Sequence, residues 1–379
     1  MQRWDIFCRI VDNYGDIGVC WRLARQLAAE YGLEVRLWVD APAVAARIIG
    51  EMNAALPQQI VDDVEIRLWA PDFPETDGSE LAAADVVIEA FACDLPPRYL
   101  QAMARTRPLW LNLEYLSAES WVAEFHAQPS VHPALGLTKY FFFPGFGAET
   151  GGLLREGGLI EARNAFQGSV AAQRDFWQKL GVEHDGPLTV SLFCYPHAAV
   201  MSLLDAMAAS DVPVLCLVPD GGVLQLVVDF FGESGLKAGA RLHKGNLDLQ
   251  VLPFLSQDNY DRLLWACDLN FVRGEDSWIR ALWAARAMIW QPYRQAEQTH
   301  LAKLNAFMAH YVEGLDHGLA QALIEAHEHW AEGSWDATQW PSLIQQLPAL
   351  QAHAERQAAR WSALPDLAAK LVIFSKKYF

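Results

Sequence analysis

Short apolar runs separated by helix-period stretches fill this chain, and that alternation restricts the available folds more than any other feature. WDIFCRIV, EVRLWVD, EIRLWA, DVVIEAFA, PLWLNLEYL and KYFFFPGF succeed one another up to Phe146, with helical patterns over 17–31, 42–53 and 96–105. Strands that are apolar on both faces and separated by helices imply a parallel sheet covered on two sides. Gly145, Gly147, Gly151, Gly152, Gly157 and Gly158 interrupt the pattern and place a linker within about 145–170. The alternation then resumes with LTVSLFCY, VPVLCLVP, CDLNFVRG and AMIWQPY. Helices are expected near 197–209, 222–232, 257–266 and 277–286, with an extended stretch at 240–254 and helix from about 297 onward. Two doubly wound α/β halves joined by a glycine-rich hinge would place a ligand cleft between them, facing the carboxyl ends of both sheets.

Composition removes several function classes. Hydrophobic residues make up 52% of the 379 positions. Even so, no apolar run approaches the ~18 residues that a membrane helix needs. MQRWDIFCRI enters a strand pattern at once and carries Asp5, which predicts neither a signal nor a transit peptide and a cytoplasmic protein. Six cysteines are scattered without a CxxC pair and read as buried, reduced thiols. With 29 Lys and Arg against 46 Asp and Glu, the net charge of −17 argues against nucleic-acid binding, which needs clustered cations. A basic protein partner stays open, and an anionic ligand would require a locally positive pocket.

Four stretches carry candidate chemistry. In VDNYGDIGVCWRLARQL a strand is expected to end at Asp12 and a helix to start near Ile17. Asp16 there reads either as an N-cap accepting from helix amides or as a carboxylate for a cation or a proton. Asp12 reads as a turn residue or as the second such carboxylate. Gly15 and Gly18 match only part of the GxGxxG fingerprint, and two carboxylates would repel a pyrophosphate. In NFVRGEDSWIRALWAARA a buried strand ends at Arg273 and a helix opens with Asp276 and Ser277. Helix amides, a hydroxyl and a guanidinium suit a diphosphate; the alternative is a plain helix cap with Arg273 in an ion pair. Glu275 sits between them. Phe193 and Tyr195 of SLFCYPH fall on one side of a strand end, as core or as ligand contacts. Phe254 and Gln257 of PFLSQDNYDRLL offer a ring and an amide for a pyrimidine, although Phe254 alone would read as core. No DxD, HExxH, GxSxG or Walker A motif occurs, and His327 and His329 of HEHW, two apart on a helix, do not face one another as metal ligands would.

IVDNYGDIGVCWRLARQL, FCYPH, PFLSQDNYDRLLWACDLNFVRGEDSWIRALWA and IWQPYRQAEQTHLAKLNAF together resemble the elongation factor P arginine rhamnosyltransferase family, over essentially the whole chain. The resemblance implies a GT-B glycosyltransferase: two facing Rossmann-like domains, metal-independent, with the nucleotide held by the C-terminal half. On that plan residues 1–155 form the acceptor-binding domain, 156–170 the linker and 171–359 the nucleotide-sugar domain, with the C-terminal helix of about 360–379 packing back on the first. The implied reaction moves L-rhamnose from dTDP-β-L-rhamnose to an arginine of elongation factor P with inversion, activating the factor for rescue of ribosomes stalled at proline runs. The family's acidic pair falls on Asp12 and Asp16, with Asp16 as general base, and its third catalytic carboxylate on Glu275. Its nucleotide-sugar contacts fall on Phe193 and Tyr195, on Phe254 and Gln257 for the thymine, and on Arg273, Asp276 and Ser277 for the diphosphate. Asn13, Tyr14 and Gly15 join the nucleotide-sugar side, and no metal or other cofactor is implied. Since a fold does not fix a function, two rivals stand. One is another nucleotide-sugar enzyme, a small-acceptor transferase or an epimerase; the other is a non-catalytic protein that binds the nucleotide sugar or the factor.

Overall fold

The computed structural model describes residues 2–12, 14–69, 82–184 and 186–379. The chain divides into two compact units, 1–157 with 362–379, and 158–361.

In the first unit the strands are β1 (Arg3–Cys8), β2 (Glu34–Val39), β3 (Gln58–Val61), β4 (Val64–Leu68), β5 (Val86–Ala90), β6 (Leu109–Leu113), β7 (Gln128–Val131) and β8 (Thr138–Phe142). They form one sheet in the order β3-β4-β2-β1-β5-β6-β8-β7. Pairing is parallel except at the two edges, where β3 lies antiparallel on β4 and β7 on β8. The two-residue period of a strand explains the apolar runs. Trp4, Ile6 and Cys8 of β1 join Val35, Leu37 and Val39 of β2 and Val86, Ile88 and Ala90 of β5 in the core on one face. Phe7, Trp38 and Val87 join the core on the other. The helix Gly15–Tyr31 covers the first face together with Leu367, Ala368, Leu371 and Val372 of the C-terminal helix Leu367–Ser375. Tyr99, Ala102 and Met103 of the helix Pro97–Thr106 cover the second. Asp5 alternates with these residues and is fully buried, its carboxylate taken by the Arg36 guanidinium and the Tyr99 hydroxyl.

The second unit holds β9 (Leu188–Leu192), β10 (Val214–Pro219), β11 (Arg241–Lys244), β12 (Leu247–Leu252), β13 (Leu269–Arg273) and β14 (Ala287–Gln291), in the order β11-β12-β10-β9-β13-β14. Only β11 runs antiparallel to its neighbour. Beyond β14 the unit is helical; Phe307 packs edge-on against the stacked pair Trp278 and Trp290, whose rings lie 3.7 Å apart, and Tyr311 and Trp361 pack on Phe307.

Two expectations change here. Residues 156–170 are not an extended linker: Leu159–Gln167 is a helix that buries Leu159, Arg163 and Phe166, one face at helical spacing. Arg163 and Gln167 donate to the carbonyls of Trp283 and of Trp265 and Ala284. The second unit therefore starts at Gly158 rather than 171. The glycines at 145–152 likewise serve packing within the first unit rather than a hinge. A Cβ on Gly151 would lie 2.8 Å from the Phe143 carbonyl, and one on Gly152, at φ +77°, 2.7 Å from the Pro365 carbonyl. All six cysteines are buried and free. Among the described residues no helix is long and apolar enough to cross a membrane.

His327 lies fully buried in the helix His317–Glu332, donating through Nδ1 to the Leu323 carbonyl at 2.9 Å, while His329 meets Gln339 instead. Burial pushes the His327 imidazole down from 6.5 to about 4. Between those values the unfolded chain binds the extra proton, so stability rises with pH and is lost on acidification. At pH 5 the loss from this group is about 2 kcal/mol. Urea midpoints of His327→Leu and wild type at pH 7 and pH 5 check this: the variant's midpoint should fall less on acidification, and parallel falls would refute it.

Candidate functional site

Parallel strands deliver their connections to one edge of the sheet, and a crevice opens where successive connections leave in opposite directions. In the first unit that position lies between β1 and β5, because the chain builds outward from β1 to β2 and then returns to β5 on its other side.

β1 ends at Cys8, four residues earlier than the sequence predicts, and the helix begins at Gly15. The loop between them is anchored by Ile10 N–H donating to Asp40 Oδ1 at 3.0 Å and by a turn from Gly15 N–H to the Asp12 carbonyl at 2.7 Å. Asp16 is the second helical residue, and its role differs from an N-cap. Its Oδ2 accepts from the amides of Val11 at 2.7 Å and Asp12 at 2.8 Å, which precede the helix, and Tyr14 occupies the cap position without a side-chain bond. Its Oδ1 accepts from the Tyr115 hydroxyl at 3.0 Å. The residue is 2% exposed, so this carboxylate is fixed by three donors. Asp12 is half-buried beside it. A Cβ on Gly15 would lie 3.0 Å from Asp12 Oδ2, so glycine there leaves room for that carboxylate. The Arg47 guanidinium lies 5.6 Å from the Tyr14 ring centroid. Asn13 lies outside the described residues.

Two residues of this site were not singled out from the sequence. Tyr115 follows β6 and stacks on Phe91, which follows β5, with centroids 4.3 Å apart and planes 11° from parallel. Phe91 holds φ +56°, and Ala92 and Asp94 share that left-handed region, a strain that rigid sites tend to carry. The connections of the three adjacent strands β1, β5 and β6 thus converge on Asp16. The signal available in the sequence was a tyrosine directly after an apolar run, in NLEYL.

In the second unit the corresponding position lies between β9 and β13. Phe193 and Tyr195 follow β9, which ends at Leu192, and the Arg273 guanidinium lies over both rings, 4.5 and 4.6 Å from the two centroids. The arginine thus sits in an aromatic clamp. Tyr195 also packs against His197, at 5.7 Å and nearly parallel. Burial, with Arg294 and His300 nearby, lowers the His197 pKa.

Gly274, at φ +61°, turns the chain out of β13, its amide on the Gln291 carbonyl at 3.0 Å and its own carbonyl receiving the Trp290 indole N–H at 2.7 Å. Glu275, half-buried, occupies the N-cap of the helix Asp276–Ala284 and makes no side-chain cap bond. Neither Asp276 nor Ser277 caps that helix. Ser277 is buried, and its hydroxyl accepts from the Arg273 amide at 3.1 Å and donates to the Arg273 carbonyl, closing the turn. The helix's first backbone bond runs from the Ile279 amide to the Glu275 carbonyl, and the amides of 276–278 before it lie outside the helix ladder. After β12, half-buried Phe254 precedes Ser256, which caps the helix Gln257–Ala266, and Gln257 is 6% exposed at its start. Tyr260 of that helix meets the Phe193 ring edge-on at 5.5 Å.

The candidate residues thus fall into two groups: Asp12, Tyr14, Gly15 and Asp16 in one unit, and Phe193, Tyr195, Phe254, Gln257, Arg273, Glu275, Asp276 and Ser277 at the carboxyl edge of the other.

The family model described as Elongation-Factor P (EF-P) rhamnosyltransferase EarP matches residues 4–376. A protein-arginine rhamnosyltransferase of Pseudomonas aeruginosa is 52% identical over 377 residues, covering 99% of both chains. One from Shewanella oneidensis is 39% identical, covering 99% of this chain and 98% of that one. A solved structure concerning EarP-mediated arginine glycosylation of translation elongation factor EF-P superposes with a TM-score of 0.70 at 39% identity, over the full length of both chains. The glycosyltransferase VinC in complex with dTDP shares the fold alone, with a TM-score of 0.52 at 12% identity, covering 99% of this chain and all of that one. The fold is that of the GT-B glycosyltransferases, and the chain belongs to the EarP family of elongation factor P rhamnosyltransferases.

Proposed function

We propose that this enzyme transfers L-rhamnose from dTDP-β-L-rhamnose to an arginine of elongation factor P in the cytoplasm, with inversion and without a metal ion. The observation that carries the reading is the geometry of Asp16. A carboxylate offers about four acceptor positions, and three of them are filled by the Val11 and Asp12 amides and the Tyr115 hydroxyl. The position left on Oδ1 suits one N–H of an incoming guanidinium. The acceptor is supported by the match to the EF-P rhamnosyltransferase family and by the similarity to protein-arginine rhamnosyltransferases.

A guanidinium with a pKa above about 12 and a delocalised lone pair is a poor nucleophile. Asp12 and Asp16 would fix its plane, and Asp16 would take the N–H proton as the nitrogen bonds to C1 of the sugar. The C1–O bond breaks on the opposite face, so a single displacement inverts C1 and releases dTDP, with no covalent intermediate. The negative charge that gathers on the leaving diphosphate would be met by Arg273 and the first-turn amides at Asp276 and Ser277. Phe254 and Gln257 would hold the thymine by stacking and by amide hydrogen bonding, and Glu275 would contribute the third carboxylate at the sugar side. Because a cation and backbone dipoles meet the diphosphate, no bound metal is required by this scheme. Tyr14 and Gly15 shape the loop that carries Asp12; with Asn13, they complete the nucleotide-sugar contacts proposed for this enzyme.

Incubation with dTDP-rhamnose and elongation factor P should add the mass of one deoxyhexose to a single arginine of the factor. Unmodified factor would refute the acceptor assignment, and binding of both ligands without turnover would make the protein a binding module. Asp16→Asn should lower kcat by about 10²–10⁴-fold with the dTDP affinity kept, since the general base is lost and the nucleotide site is not; full activity would remove Asp16 from that role. Arg273→Lys keeps the charge but not the planar ion that lies over both rings, and should raise the donor KM roughly tenfold. EDTA should leave the wild-type rate unchanged; a loss restored by a divalent cation would contradict the metal-free scheme.

A further inference from the structure

Gln291, the last residue of β14, is fully buried and bonds to the segments that carry Tyr195 and Gly274. It is paired with Arg273 in the β13–β14 register, and its carbonyl accepts from Gly274 at 3.0 Å. Its side chain does something different. Oε1 accepts from the Tyr195 amide at 2.8 Å, although Tyr195 follows β9 and β13 lies between β9 and β14. The carboxamide thus reaches across the end of β13 to hold the loop that brings Tyr195 onto Arg273.

The other half of the same amide points to its purpose. Nε2 is buried and has no hydrogen-bond partner among the described residues. Burying this amide leaves Nε2 uncompensated, a cost that an apolar side chain of the same shape would not carry on that side. What the polar group supplies is one directional contact, to the backbone of Tyr195.

We propose that Gln291 is a positioning residue of the nucleotide-sugar site: it holds the Tyr195 backbone so that the ring stays stacked on Arg273 and the guanidinium stays aimed at a nucleoside diphosphate. It acts through Tyr195 and touches no substrate. This rests on the reading of Arg273 as the diphosphate ligand.

Calorimetric titration with dTDP of wild type, Gln291→Leu, Tyr195→Ala, the double variant and Arg273→Ala tests both levels separately. Gln291→Leu should weaken dTDP binding about five- to tenfold and raise the donor KM by a similar factor, with kcat at saturating donor retained; because it also strands the buried Tyr195 amide, the melting temperature of the ligand-free protein should fall modestly, and the split between KM and kcat is what separates positioning from stability. In the Tyr195→Ala background the same substitution should add almost nothing, because the two act as a unit. Wild-type affinity in Gln291→Leu, or effects that multiply in the double variant, would overturn the inference while leaving the site assignment intact. Wild-type dTDP affinity in both Tyr195→Ala and Arg273→Ala would instead overturn the site reading beneath it. Gln291→Met, which keeps the side chain's length and removes the acceptor, gives the same decision if the leucine variant does not fold.

Discussion

Parallel pairing around a buried central strand is the constraint from which both halves of this enzyme follow. A strand hydrogen-bonded on both edges and covered on both faces has no solvent-facing side, so every residue on it must be apolar or internally paired. β1 meets that condition with Trp4, Ile6 and Cys8 on one face and Phe7 on the other, and with Asp5 neutralised by Arg36 and Tyr99. β9 meets it with Thr189 donating to Asp268 at 2.7 Å and Ser191 donating to Asn270 at 2.6 Å. Removing one member of such a buried pair would strand the other, at a cost of about 3–5 kcal/mol for an ion pair. With the strands fixed, the carboxyl ends in each unit discharge at one edge of that unit's sheet, where Asp16 stands in the first unit and Arg273 in the second.

The same architecture is used with opposite electrostatics. At the end of β1 three hydrogen-bond donors organise a carboxylate, which suits the reception of a cationic acceptor and its proton. At the end of β13 two aromatic rings and a helix start organise a guanidinium, which suits an anion. Aromatic faces hold Arg273 without neutralising it, whereas a carboxylate in the same place would compete with a diphosphate. Tyr115 has a comparable service at the other site, where a phenol orients Asp16 while leaving an acceptor position on Oδ1.

How far the sequence reveals this depends on whether the information is local. The central strands and the helices Gly15–Tyr31 and Gln257–Ala266 are legible because two-sided apolar runs and helical spacing are written in consecutive residues. The edge strands Gln58–Val61 and Gln128–Val131 are not, since QQIV and QPSV are largely exposed and polar and pair only on one side. The helix Leu159–Gln167 hides behind flanking glycines, which read as a linker until Leu159, Arg163 and Phe166 are seen to share one buried face. Asp16 is legible as a candidate site residue, but the direction of its carboxylate is not. Four residues of error in the end of β1 turn a cap of the following helix into an anchor of the preceding loop. Tyr115, Phe91 and Gln291 were invisible for a stronger reason, because each reaches its partner across neighbouring strands rather than along the chain. The membership of the chain in the EarP family was legible because DNYGDIG and RGEDS are long and specific, and the family model and relatives agree with it.

The central claim is that the second unit receives the diphosphate on Arg273 and the first turn after Gly274. A crystal structure of the enzyme with dTDP tests it most directly. The account predicts phosphate oxygens within hydrogen-bonding distance of the Arg273 guanidinium and of the amides at Asp276 and Ser277, with the thymine against Phe254 and Gln257. A nucleotide bound elsewhere, or one whose phosphates turn away from Arg273 toward a metal ion, would contradict it.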